Sequence, residues 1–216
     1  MPEVFYQLFR SDLRGAINGE QRNSYLTFNE GNYLHESRNP VGILAQFSEH
    51  YLSGTKRLEV FSETDFLLIL PIEGELYVRT DSASRSVCPL ELFIAAPGEQ
   101  VHLTNDFPNE TTRFYTFQLK NTGLENGLHS YQLEKRNELM ACCESSVCSL
   151  SIGVFDGRQD RTFSSPNSNT FVTIVNGAFE VQNRLMETND SLLAVHDPNL
   201  EFEALSENAV ILFFSF

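Results

Sequence analysis

Short apolar segments follow one another along the whole chain, separated by polar residues and by Gly, Pro, Asn and Asp. Each segment is rich in Val, Ile, Leu, Phe and Thr. Short runs of this composition, bounded by turn-forming residues, are typical of antiparallel β-strands. The apolar spacing that marks an amphipathic helix is hard to find over any long window. The pattern therefore predicts an all-β fold with little helix.

The same order of predicted strands occurs twice along the chain. Residues 67–78 (LLILPIEGELYV) and residues 170–181 (TFVTIVNGAFEV) each predict a strand, a turn and a second strand, with Gly74 and Gly177 at equivalent turn positions. Two further apolar segments follow the hairpin in each half. A repeat of this kind predicts two similar β-sandwiches or barrels.

A chain of 216 residues is long enough for two domains of ordinary size. We divide it into an N-terminal barrel at 1–122, a connection at 123–148 and a C-terminal barrel at 149–216. The terminal segments are candidates for exchanging strands between the barrels.

Acidic residues outnumber basic ones by 29 to 15, which gives a formal net charge of −14. This charge repels the phosphates of nucleic acids and anionic lipid head groups. Direct binding to nucleic acid or to a membrane surface is therefore not expected, and a protein partner would more readily be basic. The longest apolar runs are also much shorter than a membrane-spanning helix.

The N-terminal segment carries charges at Glu3, Arg10 and Asp12, where a signal peptide needs an uninterrupted apolar stretch. Four cysteines are present, and in a chain of this length without an export signal we expect them to be reduced thiols. A cytoplasmic location is expected.

The residues before the first hairpin have a characteristic spacing. Gly54 is followed after five residues by Val60 and Ser62, then by Phe66 and by the turn at Gly74. Further along, a Pro–Gly turn leads to a histidine in the segment PGEQVHLT at 97–104. The spacing of these two segments resembles that of two metal-binding motifs.

On these motifs the chain resembles the pirin-like and quercetin 2,3-dioxygenase-like bicupins of the cupin superfamily, over most of its length. The resemblance implies two tandem cupin barrels, which are double-stranded β-helices of jelly-roll type. Metal-containing members bind iron or another divalent ion through three His and one carboxylate, a donor set that suits such ions.

The resemblance places those four ligands at Val60, Ser62, His102 and Thr104. Only His102 has a side chain that ligates metals well. The resemblance therefore implies a degenerate metal site, and we expect no cofactor. The alternative is a divalent metal such as iron, held by His102 with a redirected carboxylate. In the second half the equivalent positions hold Phe, Ser and Thr, so no ligand is expected there.

Three carboxylates lie next to the degenerate positions and are candidates for rebuilding a metal site, namely Glu59, Glu63 and Asp65. Successive side chains of a strand point to opposite faces, so Glu59 and Glu63 should point outward if Val60 points inward. A β-bulge would be needed to redirect Glu63 or Asp65 into the barrel.

His102 is open to three interpretations, as a residual metal ligand, a general base or a histidine that hydrogen-bonds a neighbour at the barrel mouth. We favour the third. The remaining histidines are expected on loops and strand ends, in structural or solvent-exposed positions; they are His35, His50, His129 and His196.

Val60 and Phe66 predict an apolar interior for the N-terminal barrel, which would either close or accept a small hydrophobic molecule. We therefore favour a pirin-like bicupin that binds a small apolar ligand or a protein partner. The rival hypotheses are an atypical metal-dependent dioxygenase or isomerase that uses His102, and a purely structural scaffold. The candidate ligand-binding residues are Val60, Ser62, Phe66, His102 and Thr104.

Overall fold

The computed structural model describes residues 3–20, 22–165 and 167–216. Within these ranges the chain forms β-strands joined by turns, and its single helical segment is a 3-10 helix at Ser11–Leu13. The predicted all-β fold with little helix is confirmed. None of the described residues forms a helix long and apolar enough to cross a membrane.

The chain divides into two compact units. The N-terminal unit is Arg14–Ser130. The C-terminal unit comprises the described residues of Met1–Leu13 and of Tyr131–Phe216. Each unit contains one larger and one four-stranded sheet, and all strand pairs are antiparallel.

The N-terminal unit is built from strands β2 to β12. Its seven-stranded sheet has the order β12-β9-β6-β11-β4-β3-β2, and its four-stranded sheet has the order β5-β10-β7-β8. The strands are β2 (Gly15–Asn18), β3 (Arg22–Leu26), β4 (Leu44–Ser53), β5 (Arg57–Phe61), β6 (Asp65–Glu73), β7 (Leu76–Arg79), β8 (Ser84–Val87), β9 (Glu91–Ala95), β10 (Gln100–Thr104), β11 (Thr111–Lys120) and β12 (Gly127–Ser130).

The C-terminal unit combines β1 with strands β13 to β21. Its six-stranded sheet has the order β1-β19-β16-β21-β14-β13, and its four-stranded sheet has the order β15-β20-β17-β18. The strands are β1 (Phe5–Phe9), β13 (Met140–Glu144), β14 (Ser149–Phe155), β15 (Asp160–Ser164), β16 (Asn169–Asn176), β17 (Ala178–Val181), β18 (Arg184–Glu187), β19 (Ser191–Val195), β20 (Asn199–Ala204) and β21 (Ala209–Ser215).

The repeated hairpin of the sequence is present in both units. Gly74 joins β6 to β7 with φ of +77°, and Gly177 joins β16 to β17 with φ of +84°. This left-handed backbone region strains residues that carry a Cβ, which explains why glycine occupies the turn in both halves. The equivalent turns confirm that the two halves share one strand order.

The boundaries of the two units differ in detail from the division expected at 1–122, 123–148 and 149–216. Strand β1 pairs with β19, with Phe5 opposite Val195, and so belongs to the C-terminal unit. The expected connection contains β12 and β13, which pair with β9 and β14 respectively. Strand pairing therefore sets the boundary of the N-terminal unit at residue 130.

Candidate ligand cavity

A cavity of about 240 Å³ lies in the N-terminal unit. It is lined by residues of β2, β3, β4 and β11 from the seven-stranded sheet and of β5 from the four-stranded sheet. Ile17 and Phe61 are part of this lining and are 41% and 55% exposed. The cavity is therefore open to solvent beside two apolar side chains.

The register of β4 against β11 decides which side chains face this cavity. His50 lies opposite Phe114, and Ser48 lies opposite Thr116. Phe114 and Leu52 belong to the hydrophobic core of the unit. Because alternate residues of a strand share a face, Ser48 and His50 point to the same interior as Leu52. Polar side chains thus continue the inner face of the barrel.

His50 is held in the wall of the cavity by two hydroxyl groups. Its Nδ1 lies 2.8 Å from the Oγ of Ser24, and its Nε2 lies 2.9 Å from the Oγ1 of Thr116. The ring also stacks on Phe114, with 4.9 Å between the ring centroids. Burial, assisted by the positive charge of Arg22, lowers the pKa of His50 to about 3. The imidazole is therefore neutral at neutral pH.

Ser48 brings a second kind of polar group to the cavity. Its side chain is 2% exposed, and its hydroxyl has no hydrogen-bond partner within the described part of the chain. Leaving a buried hydroxyl unpaired costs free energy, so such a group is normally satisfied by water or by a ligand. The cavity wall therefore offers an unused hydrogen-bonding group to a bound molecule.

The residues predicted for the site divide between the two faces of the barrel wall. Val60 lines the cavity and lies opposite Val101, and both pack on the core. His102 lies opposite Glu59, one residue along β10 from the core residues Val101 and Leu103. The expectation that His102 shares the interior with Val60 is therefore wrong, because a shift of one residue reverses every side chain of a strand.

The other three predicted residues also lie outside the cavity lining. Thr104 follows Leu103 and so faces outward with His102. Phe66 precedes the core residue Leu67 and lies on the opposite face of β6. Ser62 closes the turn after β5, since its Oγ accepts a hydrogen bond from the backbone nitrogen of Asp65 at 3.0 Å.

His102 instead contacts a carboxylate on the outer surface. Its Nδ1 lies 3.3 Å from Oε1 of Glu59, within ion-pair distance but not aligned as a hydrogen bond. The two side chains are 23% and 48% exposed. Of the three carboxylates considered for rebuilding a metal site, Glu59 lines the cavity, whereas Glu63 and Asp65 do not, and Glu63 is exposed in the turn. The structure therefore does not bring His102, Glu63 or Asp65 into the cavity that Val60 lines.

Neither a known family profile nor a curated protein sequence matches the chain. Solved structures, however, resemble it over nearly its full length. Pirin YhhW from Escherichia coli, solved in complex with nickel(II), has a TM-score of 0.81 at 15% identity, and the match covers 98% of this chain and 99% of that chain. YhaK from Escherichia coli has a TM-score of 0.65 at 15% identity, covering 89% and 92% of the two chains. Oxalate decarboxylase from Bacillus subtilis has a TM-score of 0.70 at 8% identity, covering 96% and 76%.

The chain has the cupin fold. At these identities the likeness concerns the fold alone. The predicted pair of tandem cupin barrels is confirmed, since the similarity to the pirin structure extends across both units.

The residues around the cupin cavity do not fit the metal that the resemblance implies. The expected donor set is three imidazoles and one carboxylate. His50 provides the imidazole of the lining, and hydroxyl groups already contact both of its nitrogens. Across the described ranges, no three His, Cys, Asp or Glu side chains are grouped so that they could hold a metal ion. The lining therefore does not support metal-dependent chemistry.

Aromatic side chains form much of the core of the C-terminal cupin barrel. Phe155, Phe202 and Phe213 belong to its core, and Phe163 packs against them. The ring of Phe163 stacks on that of Phe213 with 4.5 Å between centroids. Two cavities of this unit, of about 500 and 360 Å³, both border Phe202. The candidate ligand cavity is assigned to the N-terminal barrel because its lining combines the buried hydroxyl of Ser48, unpaired within the part of the chain that the structure describes, with the neutral imidazole of His50.

Sequence reasoning missed His50, which was expected on a loop or strand end but lies in the middle of β4. A signal for it was present in the segment LAQFSEHYLS. Gln46, Ser48 and His50 occupy every second position between Leu44 and Leu52. A polar stripe with the period of a strand, bounded by two core leucines, marks polar side chains on a buried face.

Proposed function

We propose that this cupin-fold protein is a binding protein, whose N-terminal barrel binds a small organic molecule without a metal ion. The observation that carries the proposal is the buried hydroxyl of Ser48, which has no partner within the described residues and lines an open cavity. The neutral imidazole of His50 and the hydroxyls beside it form a fixed polar wall next to it.

The lining supports a ligand of mixed character rather than the purely apolar one expected from sequence. Leu26, Leu58 and Val60 provide apolar surface on one part of the wall, while Ser48 and His50 provide polar atoms on another. Binding sites for small molecules combine these features, with apolar surface giving affinity and a few polar groups fixing orientation. A cavity of about 150 Å³ already accepts benzene in another protein. A single-ring molecule with one polar group therefore suits the 240 Å³ available here.

The alternative of a metal-dependent dioxygenase or isomerase that uses His102 receives less support. His102 is on the outer face of β10, opposite Glu59, and does not line the cavity. A reaction in the barrel would need His102 to face the same interior as Val60, which strand alternation opposes. The protein-partner hypothesis stays a prediction, as does the cytoplasmic location, which the four free cysteines support.

Substituting Val60 by Trp tests the proposal, because the larger side chain would fill the cavity without removing a core residue. We expect wild-type protein to bind benzyl alcohol, a neutral single-ring probe, in ligand-observed NMR. The Val60→Trp variant should lose this binding. Leu185→Trp, at an exposed position of the C-terminal unit, is the matched control and should retain it.

Circular dichroism and the midpoint of thermal unfolding establish that both variants are folded. Binding that is equally strong in wild type and Val60→Trp would contradict the proposal, because the probe would then lie elsewhere. Absence of binding to wild type at millimolar concentrations of the probe would contradict it as well.

A further inference from the structure

Arg22 brings a positive charge to the cavity. It begins β3 and lies opposite Leu52, two residues before Ser24, which contacts His50. Strand alternation therefore places Arg22 and Ser24 on the same face, and both line the cavity. The positive charge of Arg22 interacts with the polar wall of the cavity, since it contributes to the lowered pKa of His50.

The guanidinium of Arg22 has no hydrogen bond or ion pair with any described residue. In a chain with 29 acidic and 15 basic residues, a carboxylate could readily have been placed beside it. An arginine usually satisfies its planar set of donors with a carboxylate or a phosphate. The unused donors therefore indicate an external anion.

Two carboxylates line the same cavity, and each is already engaged. Glu30 accepts a hydrogen bond from Nε2 of Gln46 at 2.7 Å. Glu59 lies 3.4 Å from Nε of Arg57, and it also contacts His102 on the outer face. Their negative charges oppose a multiply charged ligand such as a phosphate ester, so one negative charge matches the site better than two.

We propose that the molecule bound by the N-terminal barrel is a small monocarboxylic acid with an apolar body, whose carboxylate pairs with Arg22. This inference rests on the proposed binding function. The apolar body would contact Leu58 and Val60, and Ser48 would hydrogen-bond a polar substituent. A planar guanidinium binds a carboxylate through two parallel hydrogen bonds, which gives both charge and orientation.

Benzoate and benzamide separate the charge from the shape of the ligand, because both have the same ring and nearly the same size. We expect wild-type protein to bind benzoate about tenfold more tightly than benzamide in titration calorimetry, a typical effect of a charged hydrogen bond. In Arg22→Gln the affinity for benzoate should fall to that of benzamide, while benzamide binding stays unchanged. Arg85→Gln, at an exposed arginine of β8 that does not line the cavity, is the control and should retain the preference.

The carboxylate inference would be overturned if wild type bound benzoate and benzamide with equal affinity. It would also be overturned if Arg22→Gln weakened the binding of both probes by the same factor. The Val60→Trp variant then separates this failure from that of the binding function. If wild type binds both probes with equal affinity and Val60→Trp abolishes this binding, the carboxylate inference fails and the binding function remains. If the Val60→Trp variant still binds the two probes, the carboxylate inference and the proposed binding function both fail.

Discussion

Replacing Glu49 by Gln is expected to destabilise the protein by about 3–5 kcal/mol, the usual cost of breaking a buried ion pair. Glu49 is fully buried in the N-terminal unit. Its Oε2 accepts a hydrogen bond from Nη2 of Arg14 at 2.8 Å, and its Oε1 accepts one from Nε of Arg113 at 2.7 Å. The hydroxyl of Tyr51 donates to Oε1 at 3.0 Å. Glutamine would remove the buried negative charge that contacts both guanidinium groups.

Chemical and thermal unfolding measure this effect, and Glu73→Gln is its control. Glu73 contacts the same arginine, Arg113, at 3.4 Å, but its side chain is 67% exposed. Exposed ion pairs contribute little, so we expect a loss of less than about 1 kcal/mol. A Glu49→Gln variant no less stable than Glu73→Gln would show that the buried cluster does not need its carboxylate.

A second variant distinguishes charge from packing in this cluster. When Glu49→Leu is combined with Arg14→Met and Arg113→Met, no buried charge is left unpaired. Replacing a complete buried ion cluster by apolar residues of similar volume is often neutral or stabilising. We therefore expect the triple variant to be more stable than Glu49→Gln. The reverse order of stability would contradict the electrostatic explanation.

Acid should destabilise the wild-type protein more than a His50→Gln variant, with a difference of about 4 kcal/mol at pH 3. The pKa of His50 is lowered to about 3 in the folded state, whereas that of an unfolded histidine is about 6.5. Above pH 6.5 the imidazole is neutral in both states, so it costs no stability. As the pH falls from 6.5 toward 3, only the unfolded state takes up the proton. The free energy of unfolding then decreases by about 1.4 kcal/mol per pH unit.

Denaturant unfolding of wild type and His50→Gln between pH 7 and pH 3 isolates this contribution, because the carboxylates titrate in both proteins. A His35→Gln variant, altered at an exposed histidine, shows whether the effect belongs to the buried ring. If the free energy of unfolding fell by the same amount between pH 7 and pH 3 in wild type and in His50→Gln, this would contradict the burial of a neutral His50 between Ser24 and Thr116.

The fold could be predicted well from the sequence because strands and turns are local signals. Apolar runs separated by Gly, Pro, Asn and Asp fix where strands begin and end. The glycines at 74 and 177 have positive φ in both hairpins, so the repeated turn was visible as a repeated residue. The strand exchange of β1 is different, because pairing between residues 5 and 195 leaves no local mark in the sequence.

The candidate site was less predictable because it depends on register. Motif spacing placed Val60 correctly on the inner face, where it lines the cavity. The spacing of the second motif assigned His102 to the interior of the barrel. In the structure its two neighbours along β10, Val101 and Leu103, point inward and His102 points outward. In a strand such an error reverses the face of every side chain. The apolar interior expected from Val60 and Phe66 was only partly right. Val60 packs on an apolar core, but Phe66 lies on the other face of β6, and β4 and β11 bring hydroxyls and an imidazole to the cavity wall.

The metal content of the protein purified without chelators tests the central claim most directly. Measured by elemental analysis, iron, nickel, copper and manganese together should amount to far less than one ion per chain, while the same preparation binds a single-ring organic probe in the N-terminal barrel. Close to one metal ion per chain, lost in the His50→Gln or Val60→Trp variant, would contradict the account.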